Sequence, residues 1–122
     1  SQARIDASQL TRFQRDTERL IGRSFASYAD LHQWSVDEAP AFWARVWDHG
    51  RVIGDRGARL VVDRDRMPGA RFLPDARLNY AENLLRGDAI RPAIVATTED
   101  GRTRTLTVAD LRRDVARVMR RG

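Results

Sequence analysis

The order of apolar and polar positions along the chain divides it into helical stretches, a long irregular stretch and a hairpin. Leu10, Phe13, Leu20 and Ile21 recur at helical spacing. Ser8 stands before them as an N-cap and Gly22 after them as a stop. Arg12, Arg15, Asp16 and Arg19 occupy the opposite, solvent-facing side. Ser27-Tyr28-Ala29-Asp30 carries the signature of a helix start. This predicts a short helical turn ending near Trp34, with Ser35 restarting the chain. Over 35–48, Ala39, Phe42, Trp43, Val46 and Trp47 fall at i, i+3, i+4, i+7 and i+8, the apolar stripe of an amphipathic helix. Pro40 belongs in its first turn, where a missing N–H does little harm, so Glu38 or Ala39 competes with Ser35 for the cap. Gly50 ends it.

Residues 51–78 lose all period. Gly54, Gly57, Pro68, Gly69 and Pro74 punctuate them, and Leu60 to Val62 is the only strand candidate. Asn79-Tyr80-Ala81-Glu82 opens another helix. Its asparagine can accept from an N2 or N3 amide, Glu82 can reach back to the cap amide, and Gly87 stops it after Leu84, Leu85 and Arg86. Ala93 to Thr98 and Arg102 to Leu106 then read as strands joined by a two-residue turn at Asp100-Gly101. Thr107 and Asp110 cap a last helix with Val108, Leu111, Val115, Val118 and Met119 on one face. A single hairpin and helix are too small to stand as a domain. The chain therefore reads as α+β, a mostly helical part over residues 1–88 followed, at 89–122, by the opening of a second and larger unit.

Composition narrows the chemistry. The 122 residues are 42% apolar and 32% charged, inside the range of folded globular domains. Charge-free runs such as AFWA and AIVA are too short to cross a bilayer or to form a signal-peptide core. The expectation is a cytoplasmic protein. Cysteine is absent, which excludes disulfides, thiolate metal sites and a cysteine nucleophile. All 22 basic residues are arginine, so no catalytic or P-loop lysine lies within these residues. Residues 1–50 hold six arginines against seven acids, net −1, whereas 51–122 hold sixteen against ten, net +6.

None of the conspicuous residues makes a reactive site. His32 and His49 are isolated from metal-ligand spacing and read as structural. Asp63 and Asp65 alternate with Arg64 and Arg66, a self-neutralising pattern and not a cation site. Arg102, Arg104, Arg112, Arg113, Arg117, Arg120 and Arg121 could form a patch for nucleic acid, but adjacent arginines on an amphipathic helix usually form its solvated face, and no aromatics interleave them. That patch sustains the alternative reading, a self-standing basic helical module for nucleic acid or a protein partner.

Two strings carry a resemblance. SYADLHQWSVDEAPAFWARVW from Ser27 to Trp47 and PGARFLPDARLNYAENLLR from Pro68 to Arg86 resemble the amino-terminal region of acetoacetyl-CoA synthetases, within the adenylate-forming acyl-CoA synthetase superfamily. The words W-S-V, F-W-x-x-V-W and L-N-Y-A-E-N-L-L are the closest signatures. The ending TRTLTVADLRRDVARVMRRG resembles the strand and helix that open the superfamily's large nucleotide-binding domain.

The resemblance implies a ligase that joins acetoacetate to coenzyme A through an acyl-adenylate, using ATP and Mg²⁺. It also implies that the phosphate loop, the adenine site and the catalytic lysine lie beyond Gly122. No catalytic, cofactor-binding or metal residue is therefore carried over, and none of these cofactors is expected on this chain. The structural residues carried over are Trp34, Phe42, Trp43 and Trp47, as the packing face of an amino-terminal cap, with Asn79 and Glu82 as the cap of the helix leading into the large domain. The expected partner is the remainder of the same polypeptide, with no nucleic acid and no membrane, and self-association through the unfinished hairpin edge.

Overall fold

The computed structural model describes residues 1–121. Its elements are α1 (Gln2–Asp6), α2 (Gln9–Ile21), α3 (Tyr28–Asp37), α4 (Ala39–His49), β1 (Gly54–Asp55), β2 (Val61–Val62), β3 (Arg71–Phe72), β4 (Arg77–Leu78), α5 (Tyr80–Leu84), β5 (Pro92–Thr97), β6 (Thr103–Thr107) and α6 (Val108–Arg121). The architecture is α+β, as expected. Contacts separate two units, with the break between Leu78 and Asn79, so that α5 groups with the hairpin. The boundary expected from the sequence lies at 88/89.

In the first unit, α2 begins where Ser8 Oγ accepts from the Thr11 amide at 3.1 Å and ends on Gly22 in the left-handed region at φ 67°. Both ends follow the predicted caps. Ser27 caps α3 in the same manner through the Asp30 amide, 3.3 Å away. The Asp30 carboxylate accepts in turn from the Ala26 amide and from Arg23. The expected restart at Ser35 does not occur. Its hydroxyl instead donates to the His32 carbonyl at 2.6 Å, a bond made inside a continuing helix, and α3 runs on to Asp37. Glu38, at φ −110°, is the hinge residue between α3 and α4, and Pro40 lies in the first turn of α4.

Phe13, Phe25, Leu31 and Trp34 form the buried cluster, flanked by Ala41, Phe42 and Val46. Thr17 is the most enclosed residue, fully shielded where α2 meets α4, and Arg45 Nε donates to its hydroxyl at 3.3 Å. Residues 51–78 are more ordered than their sequence suggests. The antiparallel pairs β1–β4 and β2–β3 hold them down, and of their four strands only β2 was anticipated. At Gly54, with φ 155°, a Cβ would stand 2.6 Å from the Arg77 carbonyl oxygen, so the β1–β4 approach requires glycine. Arg59 clamps Asp75 through two guanidinium bonds of 2.8 and 2.5 Å, tying the ends of the intervening loop together.

In the second unit, β5 and β6 pair antiparallel from Thr97↔Thr103 back to Pro92↔Thr107. The predicted two-residue turn is corrected to a three-residue loop, Glu99-Asp100-Gly101. Gly101 donates to the Thr98 carbonyl at 2.9 Å and takes φ 80°, as a turn closed by a glycine bulge demands. Thr107 and Asp110 satisfy each other's amides at the start of α6, at 3.0 and 3.2 Å. Arg112 reaches back from α6 to the Leu85 and Gly87 carbonyls, fastening the segment after α5.

A candidate interface on two incomplete apolar surfaces

Trp34, Phe42 and Trp43 lie in a continuous line of ring contacts. Phe25 packs on Trp34 with centroids 5.5 Å apart, Trp34 on Phe42 at 6.2 Å, Phe42 on Trp43 at 5.2 Å and Trp43 on Phe72 at 5.3 Å. All four pairs are edge-on or tilted, as ring quadrupoles favour. Burial falls along this line. Trp34 is only 5% exposed and belongs to the unit's own core, Phe42 and Trp43 are half-buried, and Phe72 is 50% exposed. Trp47, one turn beyond Trp43 on α4, is also half-buried. Thus α4 closes the core with its Phe42 side, while the Trp43 and Trp47 side is left partly uncovered. Phe13, Phe25 and Phe72 complete the line and were not singled out from the sequence. Phe25 and Phe72 stand in aperiodic segments, and Phe13 shows only as one position of the α2 stripe.

The second unit leaves more apolar surface open. Every residue of β5 is exposed, including Ile94 and Val95. The apolar face of α6 starts buried at Val108, is half-buried at Leu111 and Val115, and ends with Val118 and Met119 each 73% exposed. The hairpin supports only the first turns of the helix. Asn79 caps α5 by accepting from the Glu82 amide at 3.2 Å, while the expected return bond from the Glu82 carboxylate is not made among the described residues.

Among the described residues no group of three His, Cys, Asp or Glu side chains could hold a metal ion. His49 packs edge-on against Phe13 at 5.4 Å and His32 lies beside Tyr28, both as ring contacts. Arg64 pairs with its neighbour Asp65 at 3.5 Å. Of the arginines weighed as a polyanion patch, Arg102 bonds Asp100, Arg113 bonds Asp110 and Arg117 bonds Asp114. Four carboxyls are held below their ordinary range by the bonds they accept. Glu18 accepts chiefly from the Phe25 amide, Asp75 from Arg59, Asp100 from Arg102 and Asp110 from the Thr107 amide. All four are fold-holding contacts. No helix among the described residues is long and apolar enough to cross a membrane.

The chain is similar to known proteins. Residues 28–84 match the family described as acetyl-coenzyme A synthetase N-terminus. An acetoacetyl-coenzyme A synthetase of Rhizobium meliloti is 50% identical over 98 residues, covering 80% of this chain and 15% of that protein. An acetoacetyl-CoA synthetase of Xenopus tropicalis is 35% identical over 115 residues, covering 89% of this chain and 17% of that protein. Among solved structures, acetoacetyl-CoA synthetase from Streptomyces lividans superposes with a TM-score of 0.85 at 39% identity, over 95% of this chain and 19% of that one. The chain thus spans about a sixth of the length of the curated relatives named here, and aligns with them over most of its own.

Proposed function

With residues 28–84 matching the acetyl-coenzyme A synthetase N-terminus and nearly the whole chain akin to the amino-terminal region of acetoacetyl-CoA synthetases, we propose that it is that region of an acetoacetate–CoA ligase. In this reading residues 1–88 are a cap and 89–122 open the nucleotide-binding domain. The ligase makes acetoacetyl-CoA in two steps. The acetoacetate carboxylate attacks the α-phosphorus of ATP, forming acetoacetyl-adenylate and releasing pyrophosphate. The coenzyme A thiol then attacks the acyl carbonyl, losing its proton and displacing AMP. The residues present do not fit ATP and Mg²⁺, since the sequence holds no lysine and the described residues hold no metal-capable cluster. No step of the reaction is therefore assigned to this chain.

What this chain contributes is cover and attachment. The observation that carries the reading is the superposition with the Streptomyces lividans enzyme over 95% of the chain. The open side of α4 at Trp43 and Trp47, the uncovered β5 and the exposed end of α6 support it, because each is an apolar surface that a larger neighbour would shield. The ion pairs of Arg102, Arg113 and Arg117 favour this reading over the basic nucleic-acid module, whose phosphate contacts would have to displace them. The compartment proposed is the cytoplasm.

The test is acetoacetate-dependent AMP release by the full-length protein that carries this region, compared with a form lacking residues 1–88. The intact protein is expected to be active, the 122-residue chain inactive, and the shortened form less stable to heat. Full activity on other short acids with none on acetoacetate would overturn the substrate. A shortened form as stable as the intact one would overturn the role of the cap.

A further inference from the structure

The tip of the hairpin in the second unit carries a pair of residues with reactivity of its own. Of the chain's aspartates only Asp100 is followed by glycine. In such a pair the glycine amide nitrogen can attack the aspartate side-chain carbon, because the following residue has no β-carbon to stand in the way. The approach is open at Gly101, which takes φ 80° and where a Cβ would meet nothing within 4 Å. Thr98 to Arg102 are all exposed, so the tip is accessible to water.

The same tip holds both reacting groups in other bonds. The Gly101 N–H donates to the Thr98 carbonyl at 2.9 Å and closes the loop. The Asp100 carboxylate is gripped on both oxygens. Its Oδ2 accepts from Arg102 Nε at 2.6 Å and Nη2 at 2.5 Å, and its Oδ1 accepts from the Arg102 amide at 3.3 Å and from the Thr98 hydroxyl. These bonds favour the ionised carboxylate, whereas ring closure needs the acid, whose OH can leave as water. Arg104, on β6, takes no part in the grip.

We propose that Asp100-Gly101 is a modification site, where isoaspartate forms at a rate set by the grip of Arg102 and Thr98 on the Asp100 carboxylate. The Gly101 nitrogen bonds to Asp100 Cγ and loses its proton, the side-chain OH departs, and one water is released as a five-membered succinimide closes. Water then adds to one of the two ring carbonyls. Addition at Cγ restores aspartate. Addition at the original main-chain carbonyl breaks its bond to the Gly101 nitrogen, frees an α-carboxylate and leaves the chain running through Cβ and Cγ. Mass is unchanged and no oxidant or reductant is needed. The isoaspartyl chain is one atom longer between Thr98 and Arg102, so it no longer matches the three-residue closure of the β5–β6 hairpin. The site stands on the second unit alone and does not depend on the ligase reading.

The experiment incubates the 122-residue chain for weeks at physiological temperature and neutral pH, folded or unfolded in guanidinium chloride. Isoaspartate is read by enzymatic methylation of the freed α-carboxylate and located by tryptic mapping. The unfolded chain is expected to accumulate it at Asp100, and the folded chain about tenfold or more slowly, because the carboxylate is held ionised and the amide is engaged. Folded Arg102→Ala should recover most of that difference and Thr98→Val a smaller part, while Arg104→Ala should keep the slow rate of the parent. Circular dichroism checks that each variant is folded. Should Arg102→Ala lose the hairpin, Thr98→Val decides, since it keeps the side-chain shape and removes only the hydroxyl. The proposal is overturned if Asp100 stays intact even in the unfolded chain, if the folded parent reacts as fast as the unfolded one, if no folded grip variant reacts faster than the parent, or if Arg104→Ala accelerates the reaction as much as they do.

Discussion

At the residue scale the indoles are not equivalent. Trp34 is enclosed by Phe25 and Phe42, so Trp34→Ala removes core packing and should cost about 3–5 kcal/mol, measured as a loss in the urea midpoint of the isolated chain. Trp43→Ala and Trp47→Ala remove partly solvated rings and should cost less than half of that in the same chain. Under the proposed ligase reading, the deficit of these two variants should be larger in the full-length protein than in the isolated chain. Glu18 shows the effect of a single hydrogen bond on pH dependence. Its carboxylate is held below the usual range by the Phe25 amide, so the folded state binds that proton less readily than the unfolded chain. The stabilisation is complete above the unfolded glutamate value of about 4.3 and is lost as pH falls through the lower folded value. Glu18→Gln should flatten this part of the acid limb, read from urea midpoints between about pH 3 and 7.

At the element scale, helix boundaries were legible where a cap is made by near neighbours in sequence. Ser8, Ser27, Asn79 and Thr107 each accept from an amide three residues on. Thr107 and Asp110 satisfy two donors reciprocally, so Thr107→Ala should destabilise the second unit by about 1–2 kcal/mol, seen as earlier loss of helical circular dichroism on heating. The α3–α4 break moved from Ser35 to Glu38, because a serine hydroxyl can bond a carbonyl of the preceding turn and stay helical. The strands of 51–78 were mostly invisible. Each is two residues long and pairs with a partner distant in sequence, so neither alternation nor a hairpin turn announces it. Gly54 is the residue on which the β1–β4 pair rests. Gly54→Ala should cost about 1–3 kcal/mol through the clash with Arg77 and the unfavourable φ, measured by chemical unfolding.

At the scale of the whole molecule, the second unit is stabilised on one side only. The hairpin has two unpaired edges, β5 is exposed along its length, and the α6 stripe ends on Val118 and Met119 in solvent. Such edges and patches favour association, so the isolated chain should show scattering that rises with concentration. Val118→Glu combined with Met119→Glu should suppress it without unfolding the hairpin. A strictly concentration-independent monomer would show that these surfaces are not adhesive.

The sequence by itself determined the α+β class, four of the six helices with their caps, the hairpin, and the kinship with acetoacetyl-CoA synthetases. These depend on residues within a turn or two of each other, or on words of sequence, and both can be read in one dimension. Only the tertiary structure decided that Trp34 belongs inside while Trp43 and Trp47 stay half open, and that 51–78 is laced by two short pairings. Burial and β pairing are set by which segments meet in space, and a periodic apolar stripe shows that a face is covered without showing what covers it.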